Sequence, residues 1–424
     1  MESIATEGAE LDIGTVASRT EPKTVIVYGM NHAPELAGVG RYTGDIVDYL
    51  SHVGMEVVVV TTPPHYPGWA VQNGFRNRYS TETNGNVRVI RTPLLLRRQM
   101  RGIWRLLAPL TFAISSTPVI MWQIIRRRPD AVFCVEPTLF AAPMAQFAAW
   151  ISGSKTILHV QDLEIDAAFA VGHLGRQRWI KSFAYFMEKR VLRRFDRIIT
   201  ISLRMAANLE AKGVDQQKVD IIRNWVDLSH IYPLDGDNSY RASLNFSAQD
   251  FVVLYSGNIG AKQGLDVLLD AAALLEEEGN IRFVVAGEGP VKAQLQETYK
   301  GLTNVTFLPL QPYEQLNEFL NFADVHALPQ DRNAADLVLP SKLGGMLASG
   351  KPVIATADTE TELADFLGDG AILTEPGNPK ALADAIRQTR DGKLAVNGER
   401  VSELGRQLSR TSNLSKLARI VEFR

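Results

Sequence analysis

The segment Leu339–Gly345 combines residue types that can bind an anion. It reads LPSKLGG and precedes an apolar helix and the strand PVIATA. Pro340 and Ser341 suit the first positions of a helix, where the serine hydroxyl can act as a cap. Lys342 would place a positive charge in the first turn, against the helix dipole, and a bound anion would relieve that conflict. We therefore predict ligand contacts from four consecutive residues, Ser341, Lys342, Leu343 and Gly344.

Two glycine turns upstream could hold the same anion. Ser256–Gly264 (SGNIGAKQG) follows an apolar strand and combines permissive glycines with the Asn258 amide and the Lys262 ammonium group. A diphosphate needs backbone N–H groups and a nearby positive charge, which this segment supplies. A solvated lysine after an ordinary turn is the alternative. Gly287 begins a second turn, GEGP. This motif is common in loops, and it indicates a ligand site here only because it follows the neighbouring strand.

The N-terminal half carries a comparable loop at Gly38 and Gly40. Glycine permits close backbone approach, and the N-terminus of the following helix favours an anion. The spacing is not GxGxxG, so a ligand loop and plain turn chemistry both remain open. For His32, beside this loop, a role in the site and a position on the surface both remain open. His65, in PPHYPGW, is expected on a loop surface, and stacking of this His-Tyr-Trp grouping on a sugar or a lipid head group is the alternative.

Polar residues also cluster after the strand KTILHVQD (155–162). Side chains at the carboxyl ends of parallel strands face the ligand crevice. We therefore take His159, Asp162 and Glu164 as candidate catalytic residues, with Asp166 nearby. A helix N-cap is the rival explanation for Asp162.

Strand and helix patterns place these residues on two α/β units. Short β-branched runs are expected as strands at 23–30, 56–62, 87–92, 131–136, 155–162, 196–202 and 218–227, and again at 250–260, 281–290, 305–309, 324–329 and 352–357. Helical segments alternate with them, which predicts parallel sheets. The fold class is thus α/β, with two doubly wound, Rossmann-like domains facing a central cleft.

The domain boundaries follow from composition. Residues 1–22 are acidic, lack the features of a secretory signal and are expected as a flexible leader. A polar, glycine- and proline-bearing linker near 228–249 separates a first domain at 23–228 from a second at 229–405. A C-terminal helix at 406–424 is expected to pack back on the first domain.

Composition excludes several function classes. A net charge of −2 over 424 residues gives no global attraction to nucleic acid. The sequence has no P-loop, no GxSxG and no Cys/His zinc spacing. It also lacks an Asp-x-Asp after a strand, so we expect neither a bound metal ion nor a cofactor. The single cysteine, Cys134, lies in an apolar run and is expected to be a buried thiol.

An uncharged stretch at 106–125 is flanked by arginines, so that 97–128 forms a basic and apolar unit. Three interpretations remain open: a helix buried against the sheet, an interfacial membrane helix, and a membrane span. Two prolines weaken the last of these.

At these residues the chain resembles glycosyltransferase family 4, which has the GT-B fold. The similarity covers about residues 23–424 and rests on long ordered blocks, among them DRIITISLRMAANLEAKGVDQQKVDIIRNWVD, FVVLYSGNIGAKQGLDVLLDAAALL, FVVAGEGP and MLASGKPVIATA. GMNHAPELAGVGRYTGD, TTPPHYPGW and LPSKLGGMLASGKPVIATA resemble the colanic-acid-type (WcaI-like) exopolysaccharide glycosyltransferases.

The chain departs from the family pattern at the donor site. Asn258 stands where many members have an arginine, and Lys262 is one place early. The family's paired glutamates fall at Leu337 and Gly345, with Asp336 next to the first. The usual ribose-binding carboxylate is therefore missing, and His159 is the nearest match for the family's first-domain histidine.

The resemblance implies a retaining, metal-independent glycosyltransferase that uses a nucleotide-diphosphate sugar. It further implies a polyprenyl-diphosphate-linked glycan as acceptor, in exopolysaccharide or cell-surface polysaccharide synthesis. We expect a cytoplasmic protein that is peripheral on the inner face of the plasma membrane, through about 97–128. A non-catalytic nucleotide-sugar-binding subunit and a GT-B epimerase are the alternatives.

Overall fold

The structure is a computed structural model, and it describes residues 22–35, 38–97, 103–136, 139–162, 178–332 and 338–422. Two α/β domains, each built around its own sheet, account for the described residues. The first 21 residues, where the leader is expected, lie outside them.

The first domain is built on a largely parallel sheet. Its strands are β1 (Thr24–Tyr28), β2 (Glu56–Thr61), β3 (Ser80–Asn84), β4 (Val87–Arg91), β5 (Ala131–Val135), β6 (Lys155–Val160), β7 (Arg197–Thr200) and β8 (Val219–Ile221), in the order β3-β4-β2-β1-β5-β6-β7-β8. Only the β3–β4 pairing is antiparallel among these strands. The central strands are buried along nearly their whole length, as in sheets with helices on both faces.

Helices cover both faces of this sheet. They are α1 (Val39–His52), α2 (Ile103–Arg127), α3 (Ala142–Ser152), α4 (Arg178–Leu192) and α5 (Leu203–Ala211). Buried residues of α2, α3, α4 and α5 join one apolar cluster on one face, and those of α1 join a cluster on the other. The strand order changes direction beside β1, which has β2 on one side and β5 on the other. Such a switch point opens a crevice at the carboxyl ends of the strands.

The second domain repeats this design with a fully parallel sheet. Its strands are β9 (Phe251–Ser256), β10 (Ile281–Ala286), β11 (Val305–Leu308), β12 (Val325–Leu328), β13 (Val353–Thr356) and β14 (Ile372–Thr374), in the order β11-β10-β9-β12-β13-β14. Its helices are α6 (Ser239–Ser243), α7 (Leu265–Leu274), α8 (Lys292–Thr298), α9 (Leu316–Asn321), α10 (Leu343–Ala348), α11 (Glu362–Leu367), α12 (Pro379–Arg390) and α13 (Gly398–Gln407). The switch point lies beside β9, between β10 and β12.

The chain passes between the domains at two adjacent segments. The N–H of Val226 donates to the carbonyl of Leu408 at 2.8 Å, and the N–H of Arg410 donates to the carbonyl of Val226 at 2.9 Å. A last helix, α14 (Arg410–Glu422), then lies on the first domain. Its apolar face joins the cluster of β1, β2 and α1 through Leu414, Leu417, Ala418 and Val421. The C-terminal helix thus returns the chain from the second domain to the first.

Because α14 packs against the first domain, shortening one of its buried side chains should destabilise the protein. Leu417 is fully buried, so Leu417→Ala should lower the free energy of unfolding by about 2–5 kcal/mol, the range for a buried leucine that leaves a cavity. Urea unfolding followed by circular dichroism measures this change. The neighbouring Lys416 is exposed, so Lys416→Ala is the matched control and should have little effect. Equal midpoints for the two variants would contradict the packing.

Candidate functional site

Two turns of the second domain lie against each other at the carboxyl ends of β9 and β10. The N–H of Ile259 donates to the carbonyl of Glu288 at 2.8 Å. A Cβ atom on Gly287 would lie 1.8 Å from the carbonyl oxygen of Gly257, and one on Gly289 would lie 2.0 Å from that of Ile259. Only glycine fits at such distances, so these residues are required by the close approach of two backbones.

The Lys342 side chain extends across the first of these turns. Its Nζ atom donates to the Tyr255 hydroxyl at 2.7 Å and lies 4.0 Å from the centre of the tyrosine ring. The hydroxyl in turn donates to the carbonyl of Asn258 at 2.5 Å. A Cβ atom on Gly257 would lie 3.4 Å from the Lys342 Cδ atom. The lysine is therefore held over the turn by a buried tyrosine at the end of β9.

This environment changes the ionisation of the lysine. Burial lowers the pKa of Lys342 from 10.5 to about 7. Burial also raises the pKa of Tyr255, which therefore keeps its proton and serves as a hydrogen-bond partner. Because no carboxylate of the described residues is hydrogen-bonded to the amine, an incoming anion would favour its protonated form. The arrangement suits recognition of a phosphate group.

The other residues predicted in this half of the site occupy the rim of the turn. Asn258 and Lys262 are exposed, and Lys262 is the middle residue of a short 3-10 turn (Ala261–Gln263) that leads into α7. The carbonyl of Lys262 accepts a hydrogen bond from the N–H of Asp331 at 3.2 Å. The structure thus brings Asn258, Gly287 and Lys342 to one edge of the sheet.

The structure corrects the prediction for the residues around α10. This helix begins at Leu343, and Lys342, not Ser341, occupies the N-cap position without a side-chain cap. The Leu343 side chain is buried in the core and its N–H donates to the carbonyl of Pro340, so neither can contact a ligand. The reason is that the proline turn continues for two residues before helical geometry begins. With six residues, α10 is also too short for a substantial helix dipole.

Gly344 serves packing as well as the cleft. A Cβ atom at this position would lie 3.2 Å from the Val226 Cβ atom, in the segment that joins the domains. Gly345, where the family has a glutamate, lies against Leu320 of α9. The other expected glutamate position, Leu337, and its neighbour Asp336 lie outside the described residues.

In the first domain, a buried carboxylate organises the glycine loop. Glu35 accepts hydrogen bonds from the N–H groups of His65 and Tyr66 at 2.8 and 2.9 Å and from the Asn31 amide at 2.9 Å. A Cβ atom on Gly40 would clash with the Glu35 carboxylate at 2.4 Å. The loop before α1 is therefore joined to the loop after β2.

Gly38 adopts a positive φ of 63° at the N-cap of α1. A Cβ atom there would also lie 3.0 Å from the Tyr66 ring. Both the backbone conformation and the aromatic neighbour therefore require glycine. His65 is buried against Glu35, contrary to the expected loop surface, because this carboxylate draws its backbone inward. His32 is buried as well, and burial together with Arg91 lowers its pKa to about 3.

His159 lies at the carboxyl end of β6 in an amide network. Its Nε2 atom lies 3.0 Å from the Gln161 amide nitrogen, and Gln161 exchanges two hydrogen bonds with Asn224, each 3.1 Å long. Burial lowers the pKa of His159 to about 3, so the imidazole is neutral at physiological pH. It can act as a hydrogen-bonding group there, and it is poorly suited to carry a positive charge. Asp162 is exposed just beyond the strand, and Glu164 and Asp166 lie outside the described residues.

A small cleft of about 20 Å³ lies between the two domains at this level. The first domain contributes Ile201, Arg223, Asn224 and Trp225, and the second contributes Leu339, Pro340, Ser341, Gly344 and Leu408. Asn224 therefore connects the His159 network to the wall that faces Ser341. The first turns of α1 are also close to the second domain. The charges of Arg41 and Asp45 in this helix act on the pKa of Tyr313, which burial raises.

Sequence patterns missed three residues that shape the site. Tyr255 reads as one more apolar residue of a strand, and Glu35 as part of an irregular loop. Glu136 is buried directly after β5, and its N–H donates to the carbonyl of His159 at 2.9 Å. A carboxylate at the end of an apolar strand is a signal that could have identified Glu136. Within the described residues, no three His, Cys, Asp or Glu side chains are grouped to hold a metal ion.

Comparison with known proteins decides the family. The model of the glycosyl transferase 4-like domain matches residues 37–225, and the model of glycosyl transferases group 1 matches residues 250–391. The WcaI protein of Escherichia coli strain K12, whose name assigns it to colanic acid biosynthesis as a glycosyl transferase, is 39% identical over 376 residues, which cover 86% of this chain and 91% of that protein. The chain belongs to this family of glycosyltransferases. The resemblance stated from the sequence blocks is thereby confirmed.

Solved structures of glycosyltransferases share the fold. Sucrose-phosphate synthase from Thermosynechococcus elongatus superimposes with a TM-score of 0.69 at 16% identity, over 94% of this chain and 98% of that chain. HepE from Anabaena, in complex with UDP and glucose, gives a TM-score of 0.67 at 15% identity, over 95% and 100% of the two chains. The predicted GT-B fold with two Rossmann-like domains is confirmed.

The low pKa of Lys342 predicts how stability depends on pH. The free energy of unfolding of this glycosyltransferase should rise relative to that of Lys342→Met between pH 7 and 10.5. In that window the unfolded lysine keeps its proton and the folded one has lost it, so the folded state gains as protons become scarce. Below the window both states are protonated, and the difference should become constant. Urea unfolding of both proteins at several pH values measures the difference, and a flat or falling profile would show that the buried amine stays charged.

Proposed function

We propose that this glycosyltransferase transfers a sugar from a nucleotide-diphosphate sugar to a lipid-linked glycan, in exopolysaccharide or cell-surface polysaccharide synthesis. The observation that carries the proposal is the Lys342 amine, which lies over the Gly257 turn beside the interdomain cleft. The colanic acid assignment of the E. coli relative supports the polysaccharide part. UDP bound to HepE supports a nucleotide donor.

The chemistry follows from the leaving group. A nucleoside diphosphate gains negative charge as the bond to the sugar breaks, and fixed donors around it stabilise that charge without reorganising. On this proposal Lys342 and Lys262 supply the positive charge, and the turns at Asn258 and Gly287 approach the phosphates with their backbones. Two cations at this position perform the role that a metal ion has in other glycosyltransferases, so we propose that transfer requires no metal.

The first domain would hold the acceptor and the donor sugar. His159, Gln161 and Asn224 present neutral polar groups near the cleft, where they can orient hydroxyl groups. Asp162 and Glu164 remain candidates to orient the acceptor. We propose that the anomeric configuration is retained through attack from the leaving-group side, as the family resemblance implies. Nuclear magnetic resonance of the product assigns the configuration.

Removal of the lysines tests the donor site. Lys342→Ala and Lys262→Ala should each lower kcat/KM for transfer by more than about tenfold, because each removes a charge that is most valuable in the transition state. Transfer is measured in EDTA, and circular dichroism shows that the variants fold. Lys300→Ala is a matched control, since this lysine of the same domain is exposed on the surface. Near-wild-type transfer by both variants would remove the phosphate assignment.

The same assay separates the alternatives. A non-catalytic subunit would bind nucleotide sugars in a thermal-shift assay and show neither transfer nor donor hydrolysis. An epimerase would convert the sugar without an acceptor. Nucleotides of both uridine and guanosine are included, and a ligand at 100 times its Kd would add about 2.7 kcal/mol to the stability of the folded protein.

For the acceptor side we propose that the surface of α2 contacts a membrane. Helix Leu107–Arg127 is long and apolar enough to span one, and 44% of that window is buried in the protein. Its inner face packs on the first sheet, and its outer face exposes an apolar stripe, Leu110, Ile114, Trp122 and Ile125. One face in the protein core and one apolar face outside favour an interfacial helix over a membrane span.

Neighbouring groups extend this surface. The adjacent α3 exposes Phe147, Trp150 and Ile151, with Trp150 78% accessible. Arg97, Arg126 and Arg128 are exposed at the two ends of α2, whereas Arg127 is paired with Glu56. Exposed aromatic residues beside cations suit a bilayer with anionic headgroups, which supports a peripheral location on the cytoplasmic face.

Vesicle flotation tests the membrane contact. The protein should float with anionic vesicles, and the triple replacement of Arg97, Arg126 and Arg128 by glutamine should reduce the bound fraction several-fold, because each basic residue contributes about 1 kcal/mol near an anionic surface. The control removes the same charge from the second domain through replacement of Lys380, Lys393 and Arg406 by glutamine. Equal binding of the two triple variants, or no flotation of the wild type, would contradict the proposal.

A further inference from the structure

A carboxylate of the second domain caps the N-terminus of helix α5 in the first domain. Glu362, the first residue of α11, is 1% exposed. Its two carboxylate oxygens accept hydrogen bonds from the N–H groups of Leu203 and Arg204, at 3.3 and 3.1 Å, at the start of α5. Ser202 caps the next N–H of that helix, that of Met205, at 3.0 Å. Glu362 therefore satisfies donors that a helix of nine residues cannot satisfy within itself.

The same carboxylate binds an arginine of the cleft wall. The Arg223 guanidinium donates to Glu362 and lies 4.7 Å from the centre of the Phe366 ring, one turn further along α11. Arg223 precedes Asn224, and both line the interdomain cleft. Through Asn224 this wall is hydrogen-bonded to Gln161, whose amide contacts His159. The position of the second domain is thus transmitted to the polar network of the first.

This contact is noncovalent, whereas near Val226 and Leu408 the polypeptide backbone itself joins the two domains. When the domains separate, Glu362, Arg223 and the N–H groups of α5 would all return to water. Their interaction and their hydration are opposing terms of similar size, so the contact can bias closure without making it permanent. Arg204 adds a second, exposed contact, because it donates to the carbonyl of Glu360 and lies 3.5 Å from Asp365.

We propose that Glu362 is a positioning residue that latches the second domain onto α5 and so fixes the Arg223–Asn224 wall of the cleft. Closure by this latch brings Lys342 and its turn to the face that carries His159. The consequence for donor affinity rests on the proposed function, whereas the consequence for domain separation does not. If the closed state is the binding-competent one, the apparent Kd of a nucleotide increases in proportion as that state is depopulated.

Distance measurement tests the latch directly. Cys134 is buried, so spin labels can be attached at two exposed positions, Thr83→Cys in the first domain and Lys300→Cys in the second. In this background Glu362→Gln should lengthen and broaden the distance distribution measured by double electron–electron resonance. It should also raise the Kd for UDP or GDP by about tenfold, within the range of typical coupling between sites. Glu360→Gln is the matched control, since Glu360 is exposed in the turn before α11 and it is its carbonyl, not its carboxylate, that accepts the hydrogen bond from Arg204.

Removal of the charge from Glu362 leaves Arg223 buried without its partner, which can impair folding. The double variant Arg223→Gln/Glu362→Gln removes both charges and should show the same lengthened distance. Unchanged distances in Glu362→Gln, or in the double variant if the single one does not fold, would overturn the proposal and leave Glu362 a purely structural residue. If the distances lengthen and neither nucleotide binds to the wild type, the latch stands and the donor assignment fails.

Discussion

The site depends on how one lysine is held. The Lys342 amine donates to a buried tyrosine hydroxyl at the end of β9, in an environment that lowers its pKa to about 7. An amine with this pKa is only partly protonated near neutral pH, and contact with an anion favours its protonated form. Of the glycines in the two turns, Gly257 lies against this side chain, because a Cβ atom there would be 3.4 Å from the Lys342 Cδ atom.

The two domains divide the chemistry between them. On the second domain the described site residues are cationic or glycine-rich, as at Lys262 and Lys342. On the first they are largely neutral amides and an imidazole, since burial keeps His159 uncharged. On the proposed function, this division separates stabilisation of the leaving group from orientation of hydroxyl groups. It also makes the relative position of the domains part of the active site, because neither half contains both functions.

Sequence patterns predicted the parallel strands well because β-branched, apolar runs have few other uses. The edge strand β3 (Ser80–Asn84) was missed, since it is polar and exposed along its whole length and lacks any apolar signal. The parallel edge strand β14 (Ile372–Thr374) was missed as well, because it is only three residues long. Lys342 was predicted from its residue type and neighbours, and its tyrosine partner could not be. Contacts such as those of Glu35 with His65, or of Glu362 with α5, join residues about 30 and 160 positions apart. Only the folded chain brings them together, so residue type alone gave no signal for either carboxylate.

The geometry of α2 connects the proposed membrane face with the cleft. Tyr28, the last residue of β1, contacts Ser116 in the middle of the helix, and the Ser115 hydroxyl donates to the carbonyl of Pro93 just after β4. The carboxyl ends of the strands thus lie level with these serines. The twelve residues of α2 that precede Ser115 extend roughly 18 Å beyond this edge of the sheet, at 1.5 Å per residue. That edge is where the cleft opens. An acceptor anchored at the exposed face of α2 would therefore present its diphosphate and sugar at the height of the cleft, without being drawn far out of the membrane.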